Sequence, residues 1–265
     1  MAQSNFEENS EIEELHIEPT DVMTGDRNKS RYLLYQLKLS MARAKQIDII
    51  VSFLMESGVR MLLSDLKAAL HRGVRIRILT GNYLGITQPS ALFLLKKELG
   101  DRVELRFYND KERSFHPKSY IENLSEIYIG SSNISRSALT SGIEWNYRFN
   151  SSQDSQNFKL FYETFEDLYK NHSYVIDDAE LKAYSKNWHK PAVAKDLARY
   201  DQTDPDTKVE VLFQPRGAQI EALCALENSR AEGASRGLVH AATGVGKTYL
   251  AAFDSTKYER VLFVA

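Results

Sequence analysis

The chain has 265 residues, a formal net charge of −2 and a hydrophobic fraction of 43%. This size and composition are typical of a folded protein of roughly two domains, and the charge excludes nucleic-acid binding through bulk positive charge, so any basic surface must be local. No run of about 18 apolar residues occurs, which excludes a transmembrane helix and predicts no membrane partner.

The N-terminus and the cysteine content both indicate a cytoplasmic protein. Residues 1–20 contain six glutamates and no lysine or arginine, the reverse of a secretory signal peptide. Cys224 is the only cysteine of the chain, so an intramolecular disulfide framework is excluded. We therefore expect cytoplasmic localisation, and we interpret residues 1–28 as an acidic, flexible lead-in.

Helices and strands alternate along residues 29–189. Apolar residues at helical spacing predict helices over residues 31–45, 59–71, 89–99, 153–170 and 178–188. Short apolar or alternating runs predict strands over residues 47–53, 74–79, 103–107, 119–122, 126–129 and 143–149. This alternation is typical of an α/β domain in which helices cover a mainly parallel sheet.

Two arginines lie on one face of the strand predicted over residues 74–79. Arg75 and Arg77 either line a phosphate track or extend into solvent, and the alternation of apolar and basic residues favours solvation.

A second unit follows a predicted linker. Residues 190–207 are polar and contain two prolines, as is typical of a linker, and residues 208–265 form the second unit. Its predicted elements are a helix within 213–227, a strand over 237–241, a glycine-rich turn, a helix from residue 247 and a strand over 261–264. Because two strands cannot bury both faces of an open sheet, we expect this domain to be incomplete.

Four residues of the first domain combine the groups that phosphodiester chemistry requires. His116 and Lys118 are separated by one residue on a predicted strand, so their side chains project to the same side. The next strand ends in a Gly-Ser-Ser-Asn turn that contains Ser131 and Asn133. An imidazole can attack phosphorus, whereas an ammonium group, a hydroxyl and an amide can hold phosphate oxygens. The alternative is that His116 only packs or forms a hydrogen bond at a strand end.

This stretch resembles the phospholipase D superfamily, whose motif is His-x-Lys, four residues, Asp, and a later Gly-Ser-x-Asn turn. The resemblance covers about residues 30–150 and implies a mixed, mainly parallel sheet flanked by helices. It implies that His116 is the nucleophile and forms a phosphohistidine without a metal ion. Lys118 and Asn133 would bind the non-bridging oxygens, with Ser131 as a weaker helper.

One motif position differs from the family pattern. Asn123 stands where the family has aspartate, so a carboxylate expected to orient an imidazole is missing. Glu144 resembles the acidic residue that many family members carry after the motif. It either supplies this orienting hydrogen bond or is a solvated strand residue.

The chain contains a single His-x-Lys motif. The reaction also needs a general acid for the leaving oxygen, which the family usually takes from a second copy of the motif. We therefore expect a homodimer in which two copies of His116 share one active site across a two-fold axis.

A phosphate-binding turn lies in the second unit. The residues that carry it, all placed between a predicted strand and a predicted helix, are Thr243, Gly244, Gly246, Lys247 and Thr248. In this context backbone N–H groups and a helix N-terminus face the phosphates, the lysine reaches the β- and γ-phosphates, and the threonine holds Mg²⁺.

The same turn, with Ala241 in place of the first glycine, resembles that of superfamily-two helicases. Upstream, Phe213, Arg216 and Gln219 resemble the Q motif of these helicases, whose glutamine recognises adenine. The resemblance implies ATP and Mg²⁺ as cofactors and a truncated RecA-like ATPase lobe. No metal-holding acid or arginine finger follows Thr248, so we expect weak nucleotide binding without unwinding.

These features together predict a metal-independent DNA endonuclease that forms part of a larger ATP-dependent helicase–nuclease, in restriction or phage defence. The alternative is a decayed phospholipase D-like module that binds DNA or forms dimers. Lipid hydrolysis is disfavoured, because the helicase motif implies nucleic acid.

Overall fold

A computed structural model of the chain describes residues 17–26, 28–82, 85–110, 113–188, 215–242 and 244–262. Its centre is an eight-stranded sheet in the order β1-β7-β6-β5-β2-β3-β4-β8. The strands are β1 (Val22–Met23), β2 (Gln46–Val51), β3 (Arg75–Thr80), β4 (Val103–Tyr108), β5 (Lys118–Glu122), β6 (Glu126–Gly130), β7 (Asn146–Asn150) and β8 (Ser173–Val175).

The sheet is mixed, as predicted, but its parallel part is smaller than expected. Only the pairs β2–β3 and β3–β4 are parallel, and the other five pairs are antiparallel. The expectation of a mainly parallel sheet therefore needs correction. One reason is the short turn between β5 and β6 in the second half of the domain. Two strands that are joined by such a turn can only pair antiparallel.

Eight helices accompany the sheet in the described ranges. They are α1 (Leu33–Arg43), α2 (Glu56–His71), α3 (Pro89–Leu99), α4 (Arg136–Thr140), α5 (Ser155–Asn171), α6 (Asp178–Asn187), α7 (Ala218–Ala231) and α8 (Lys247–Ser255). None of the described helices is long and apolar enough to cross a membrane. The short elements β1, β8 and α4 were not predicted, because they contain too few residues to show the apolar periodicity of a strand or a helix.

The helices cover both faces of the sheet. Alternate residues of β2 show this, because Ile49 packs with the cluster under α1, α2 and α3, whereas Ile50 packs with Phe165 of α5. The edge strand β1 lies within the predicted lead-in 1–28, and Met23 is fully buried there. Residues 1–16 lie outside the described ranges.

Arg77 does not extend into solvent, contrary to the expectation from its alternating strand. Its side chain is 3% exposed and donates two hydrogen bonds to the carboxylate of Asp48, at 2.6 and 2.7 Å. Glu166 of α5 accepts a third bond at 2.6 Å. Helix α5 covers this face of the sheet, so Arg77 is part of a buried ionic network and not of a phosphate track. Arg75 is exposed and pairs with Glu104.

The second unit packs against the first through α7. Ile220 and Cys224 are buried in the core cluster, and the Cys224 thiol donates to the backbone oxygen of Phe93 in α3. The strand predicted over residues 237–241 does not form, and Leu238 is 95% exposed. Within the described part of the second unit no strand pairs with residues 237–241, so their backbone groups have no sheet partner. Of the strand predicted over 261–264, the first two residues are irregular and the others lie outside the described ranges.

Candidate active site and nucleotide-binding segment

The candidate active site lies at one end of the sheet, where four strands begin or end together. Val51, the last residue of β2, pairs with Lys118, the first residue of β5. The last residue of β6, Gly130, pairs with Asn146, the first residue of β7. Because β5 and β6 are themselves paired antiparallel, residues that are distant in sequence meet at this end.

His116 and Lys118 lie in contact, although His116 precedes β5, which begins at Lys118. The Lys118 ammonium lies 2.6 Å from His116 Nδ1 and also donates to the backbone oxygen of His116 at 2.9 Å. The ammonium therefore lies within hydrogen-bonding distance of both the ring and the backbone of His116. His116 is exposed, whereas Lys118 is buried apart from 9% of its surface.

The environment of Lys118 makes it a fixed donor. Burial lowers the pKa of Lys118, and the negative charge of Glu144 partly opposes this shift. The Ser52 hydroxyl lies 3.2 Å from the ammonium and thus limits its position. A partly desolvated charge of this kind interacts more strongly with an anion than a solvated one does.

Asn133 is held by the segment that follows β2. Its Oδ1 accepts a hydrogen bond from the backbone N–H of Phe53 at 3.2 Å, and its side chain is buried. This contact leaves the amide N–H₂ group of Asn133 as the donor for a substrate. Since Ser52 contacts Lys118, two adjacent residues support the two predicted oxygen-binding groups.

Ser131 and Glu144 form a pair at the rim of this site. The Ser131 hydroxyl donates to Glu144 Oε2 and accepts the backbone N–H of Trp145 at 3.1 Å. Glu144 therefore accepts a hydrogen bond from the Ser131 hydroxyl, and no hydrogen bond joins it to the His116 imidazole among the described contacts. Its carboxylate acts on the pKa values of Lys118 and Tyr120, so it is within electrostatic range of the site.

Asn123 lies far from the residues that it was expected to influence. It occupies the turn between β5 and β6, at the opposite end of β5 from Lys118, which corresponds to about 17 Å. Its φ is 59°, a left-handed conformation that asparagine tolerates well. Its side chain accepts the backbone N–H of Lys45. The expectation that a residue at this position orients the imidazole is therefore wrong.

Two groups that support the site, the Ser52 hydroxyl and the Phe53 backbone N–H, were not predicted from the sequence. Ser52 and Phe53 follow a buried strand at the carboxyl end of the parallel part of the sheet, the edge where α/β proteins place ligands. That rule could have identified them. Trp145 could not have been found in this way, because its side chain is 72% exposed beside Ser131 without any motif to mark it.

The two motifs that are predicted to bind nucleotide lie close to each other. Gln219 donates to the backbone oxygens of Val245 at 2.9 Å and Gly246 at 3.3 Å, so the two predicted motifs lie together. The Lys247 ammonium turns back to the backbone oxygens of Ala241 and Ala242. The other described residues of the two motifs, Arg216, Gly244 and Thr248, are exposed. Phe213 and Thr243 lie outside the described residues.

The family of the first domain follows from a match that covers just over half of the chain. Residues 36–169 match a family model described as "Cardiolipin synthase, PLD-like domain". The chain belongs to the phospholipase D-like family. This confirms the resemblance of the first domain and the predicted enzyme class, a hydrolase of the phospholipase D type, at the level of the family.

The second unit matches a different family model. Residues 212–265 match "Type III restriction enzyme, res subunit". The predicted order, a phospholipase D-like domain followed by a segment of a helicase-type ATPase domain, is thereby confirmed.

Solved structures similar to this chain include three from bacteria. Nuc from Salmonella typhimurium, a phospholipase D family member, is 21% identical, with a TM-score of 0.49 over 61% of this chain and 100% of that one. NucT from Helicobacter pylori is 15% identical, with a TM-score of 0.46 over 57% and 95%. Phosphatidylserine synthase from Haemophilus influenzae is 16% identical, with a TM-score of 0.48 over 67% and 44%. No curated protein matches the chain.

No group of three or more histidine, cysteine, aspartate or glutamate side chains within the described ranges could hold a metal ion. The polar side chains that meet at this end of the sheet are the Lys118 ammonium, the Asn133 amide, the Ser52 and Ser131 hydroxyls and the Glu144 carboxylate.

Proposed function

We propose that the chain is a metal-independent phosphodiesterase that cleaves DNA through His116. The contact between the Lys118 ammonium and His116 Nδ1, at 2.6 Å, is the observation that carries this proposal. It places the candidate nucleophile next to a buried cation at the end of the sheet. The family of the first domain supports the reaction class, and the helicase-type segment supports nucleic acid as the substrate.

The reaction proceeds in two displacements. An imidazole nitrogen of His116 attacks phosphorus, the N–P bond forms, and the P–O bond to the leaving strand breaks as that oxygen takes a proton from a general acid. Water then gives a proton to the same general acid, now deprotonated, and attacks phosphorus, so that a new P–O bond forms and the N–P bond breaks to release His116. Lys118, Asn133 and the weaker donor Ser131 stabilise the charge on the non-bridging oxygens in both steps. Glu144 holds the Ser131 hydroxyl in place.

The general acid is His116 of a second copy of the chain, in a homodimer that shares one active site. An apolar patch at the rim of the site supports this arrangement. It consists of Val22 (44% exposed), Ile143 (84%), Trp145 (72%) and Tyr147 (53%). Val22 and Tyr147 pair across β1 and β7, and the Trp145 backbone is bonded to Ser131, so the patch is continuous with the site.

A charge in this patch tests the dimer. Trp145→Glu should convert the protein to a monomer and abolish cleavage, whereas Leu160→Glu on α5, where Leu160 is 60% exposed, should change neither. Light scattering at micromolar concentration measures the mass. A wild-type monomer with full activity would contradict the shared site.

The second unit binds ATP with Mg²⁺ in the longer protein that we propose, an ATP-dependent helicase–nuclease of restriction or phage defence. Gln219 would recognise adenine together with Phe213 and Arg216. The turn from Thr243 to Lys247, with Gly244 and Gly246, would hold the phosphates, and Thr248 would hold Mg²⁺. The matched restriction-enzyme model supports this role.

A decayed module that binds DNA without cleaving it is the alternative. Its main support was the missing aspartate of the motif, and the position of Asn123 about 17 Å from Lys118 weakens that support.

Cleavage in EDTA separates these functions. We expect single- or double-stranded DNA to be cut by the wild type in EDTA, and we expect His116→Ala to be inactive. His71→Ala, which alters an exposed histidine at the end of α2, is the matched control. Cleavage that survives His116→Ala would exclude the nucleophile, and binding without cleavage by the wild type would support the alternative.

A further inference from the structure

A cluster of hydrogen bonds joins the nucleotide-binding segment to helix α2 of the phospholipase D-like domain. Glu56, the first residue of α2, accepts the guanidinium of Arg60 through Oε1 at 2.9–3.0 Å. Its other oxygen, Oε2, accepts the backbone N–H of Gly217 at 2.9 Å. Arg60 in turn donates to the backbone oxygen of Pro215. The two carboxylate oxygens thus have different partners, one within α2 and one in the second unit.

The Gly217 end of this cluster is continuous with the predicted adenine-recognition site. Gln219 Oε1 accepts the backbone N–H of Arg216 at 3.1 Å and so closes the turn that presents Gly217 to Glu56. The amide group at the other end of the same side chain holds Val245 and Gly246. A ligand that engages the Gln219 amide must compete with these bonds and disturb the turn.

The Glu56 end of the cluster is continuous with the nuclease site. Two residues before Glu56 in the same short segment, Leu54 forms a parallel bridge with Ile134, and Met55 donates its N–H to the Ile134 oxygen at 2.8 Å. Phe53 donates its N–H to Asn133 Oδ1. The segment Phe53–Glu56 therefore connects Gly217 to the side chain that is aimed at the substrate phosphate.

Close packing makes this connection stiff. A Cβ added at Gly58 would lie 2.5 Å from the backbone of Ile134 and Ser135, so the first turn of α2 touches the turn after Asn133. The Glu56 and Arg60 side chains are only 13% and 22% exposed. A shift of the first turn of α2 would therefore press on the turn after Asn133.

We propose that Glu56 is a positioning residue that links the nucleotide-binding segment to Asn133, so that occupation of Gln219 alters the phosphate-binding geometry of the nuclease. This inference depends on the proposed roles of Gln219 and Asn133. When nucleotide draws Gln219 away from Arg216, the bond from Gly217 to Glu56 weakens, the segment Phe53–Glu56 loosens, and the Asn133 amide loses its fixed direction.

Amide hydrogen exchange tests the link without requiring activity or nucleotide. In the 265-residue chain, Gln219→Ala should accelerate exchange at the amides of Phe53 and Met55 by about fivefold or more, a change in local opening. The core amide of Ile49 should be unchanged and serves as the internal reference. Unchanged exchange at both Phe53 and Met55 would overturn the proposal.

A matched control removes another contact of helix α7. Ser185→Ala deletes the hydrogen bond from Ser185 to Glu221 at 2.9 Å, which joins α7 to the first domain but does not reach the segment Phe53–Glu56. It should leave exchange at Phe53 and Met55 as in the wild type. Equal acceleration in Ser185→Ala and Gln219→Ala would indicate loss of general docking and contradict a specific link.

The kinetics of DNA cleavage test whether Glu56 affects the nuclease reaction. Glu56→Ala should lower kcat about fivefold with little change in KM, an effect within the usual range of coupling between sites. ADP with Mg²⁺ should also lower the kcat of the wild type about fivefold. It should not lower the kcat of Glu56→Ala any further. An ADP response in Glu56→Ala equal to that of the wild type would overturn the link. Failure of fluorescent ADP to bind would exclude the nucleotide site, and cleavage by His116→Ala would exclude the nucleophile. Neither result affects the exchange experiment.

Discussion

The two candidate phosphate-binding sites of this chain use similar residues but differ in how the fold holds them. Lys118 and Asn133 are buried at the end of an eight-stranded sheet, and neighbouring residues fix both side chains. Lys247 and Thr248 are exposed on α8, next to a predicted strand that does not form. A motif specifies the groups for phosphate binding, but only a completed sheet places them in advance.

The largest expected difference concerns the two lysines. Lys118→Met should reduce metal-free DNA cleavage about 10²- to 10³-fold, because it removes a fixed donor to the phosphoryl oxygens. Lys247→Met should leave this cleavage unchanged and weaken nucleotide binding about tenfold or more. Initial rates in EDTA and titration with fluorescent ADP measure the two effects. Equal loss of cleavage in both variants would remove the distinction between the sites.

The next largest effect is expected when a side chain is added at Gly130, where β6 ends at the candidate nuclease site. In Gly130→Ala the new Cβ would lie 2.2 Å from the Trp145 oxygen, so the strands β6 and β7 must separate. We expect a loss of about 2 kcal/mol in the free energy of unfolding.

Urea denaturation measures this loss against Gly73→Asn as a control. Gly73 has a φ of 82° and no atom within 4 Å of an added Cβ, and asparagine tolerates this conformation. Equal stability of Gly130→Ala and the wild type would show that the two strands are not held as closely as described.

The pH dependence of cleavage should reveal the burial of Lys118. Because burial lowers its pKa, the ammonium is lost as pH rises through a value below the ordinary lysine pKa of about 10.4. The kcat should therefore fall on the alkaline side before that pH, by about tenfold per pH unit once the ammonium is deprotonated.

The lowered pKa of Lys118 also makes the free energy of unfolding depend on pH. The unfolded state binds this proton more tightly, so the contribution of Lys118 to folding stability increases with pH through this window. Lys118→Arg, which keeps its charge, should retain some activity and lose the alkaline decline. An unchanged alkaline limb in Lys118→Arg would assign the limb to another group.

The smallest effect is expected at the position where the motif departs from its family. Asn123→Asp should change kcat by less than about twofold, because the turn lies about 17 Å from Lys118. Its cost in stability should stay below about 1 kcal/mol, since aspartate tolerates the left-handed conformation nearly as well. Asn123→Gly is the control for the turn, and a large gain in kcat for Asn123→Asp alone would contradict this placement.

These cases show how far the sequence could predict the molecule. The contact between His116 and Lys118 agrees with their spacing in the sequence, although β5 begins only at Lys118 and His116 precedes it. The role of Asn123 could not be predicted from motif spacing, since the length of β5 separates it from the site. The burial of Arg77 was also missed, because its partner Asp48 lies on another strand and Glu166 on α5. Long-range pairing decided both outcomes.

Trapping of the covalent intermediate tests the central claim most directly. Wild-type protein is mixed in EDTA with DNA that carries internal ³²P at each phosphate, denatured in alkali after a short reaction, and separated from free DNA. We predict label on the protein that is stable to alkali and released by acid, as expected for a phosphohistidine, and no label on His116→Ala. Cleavage without label on the wild type, or equal label on His116→Ala, would contradict nucleophilic catalysis by His116.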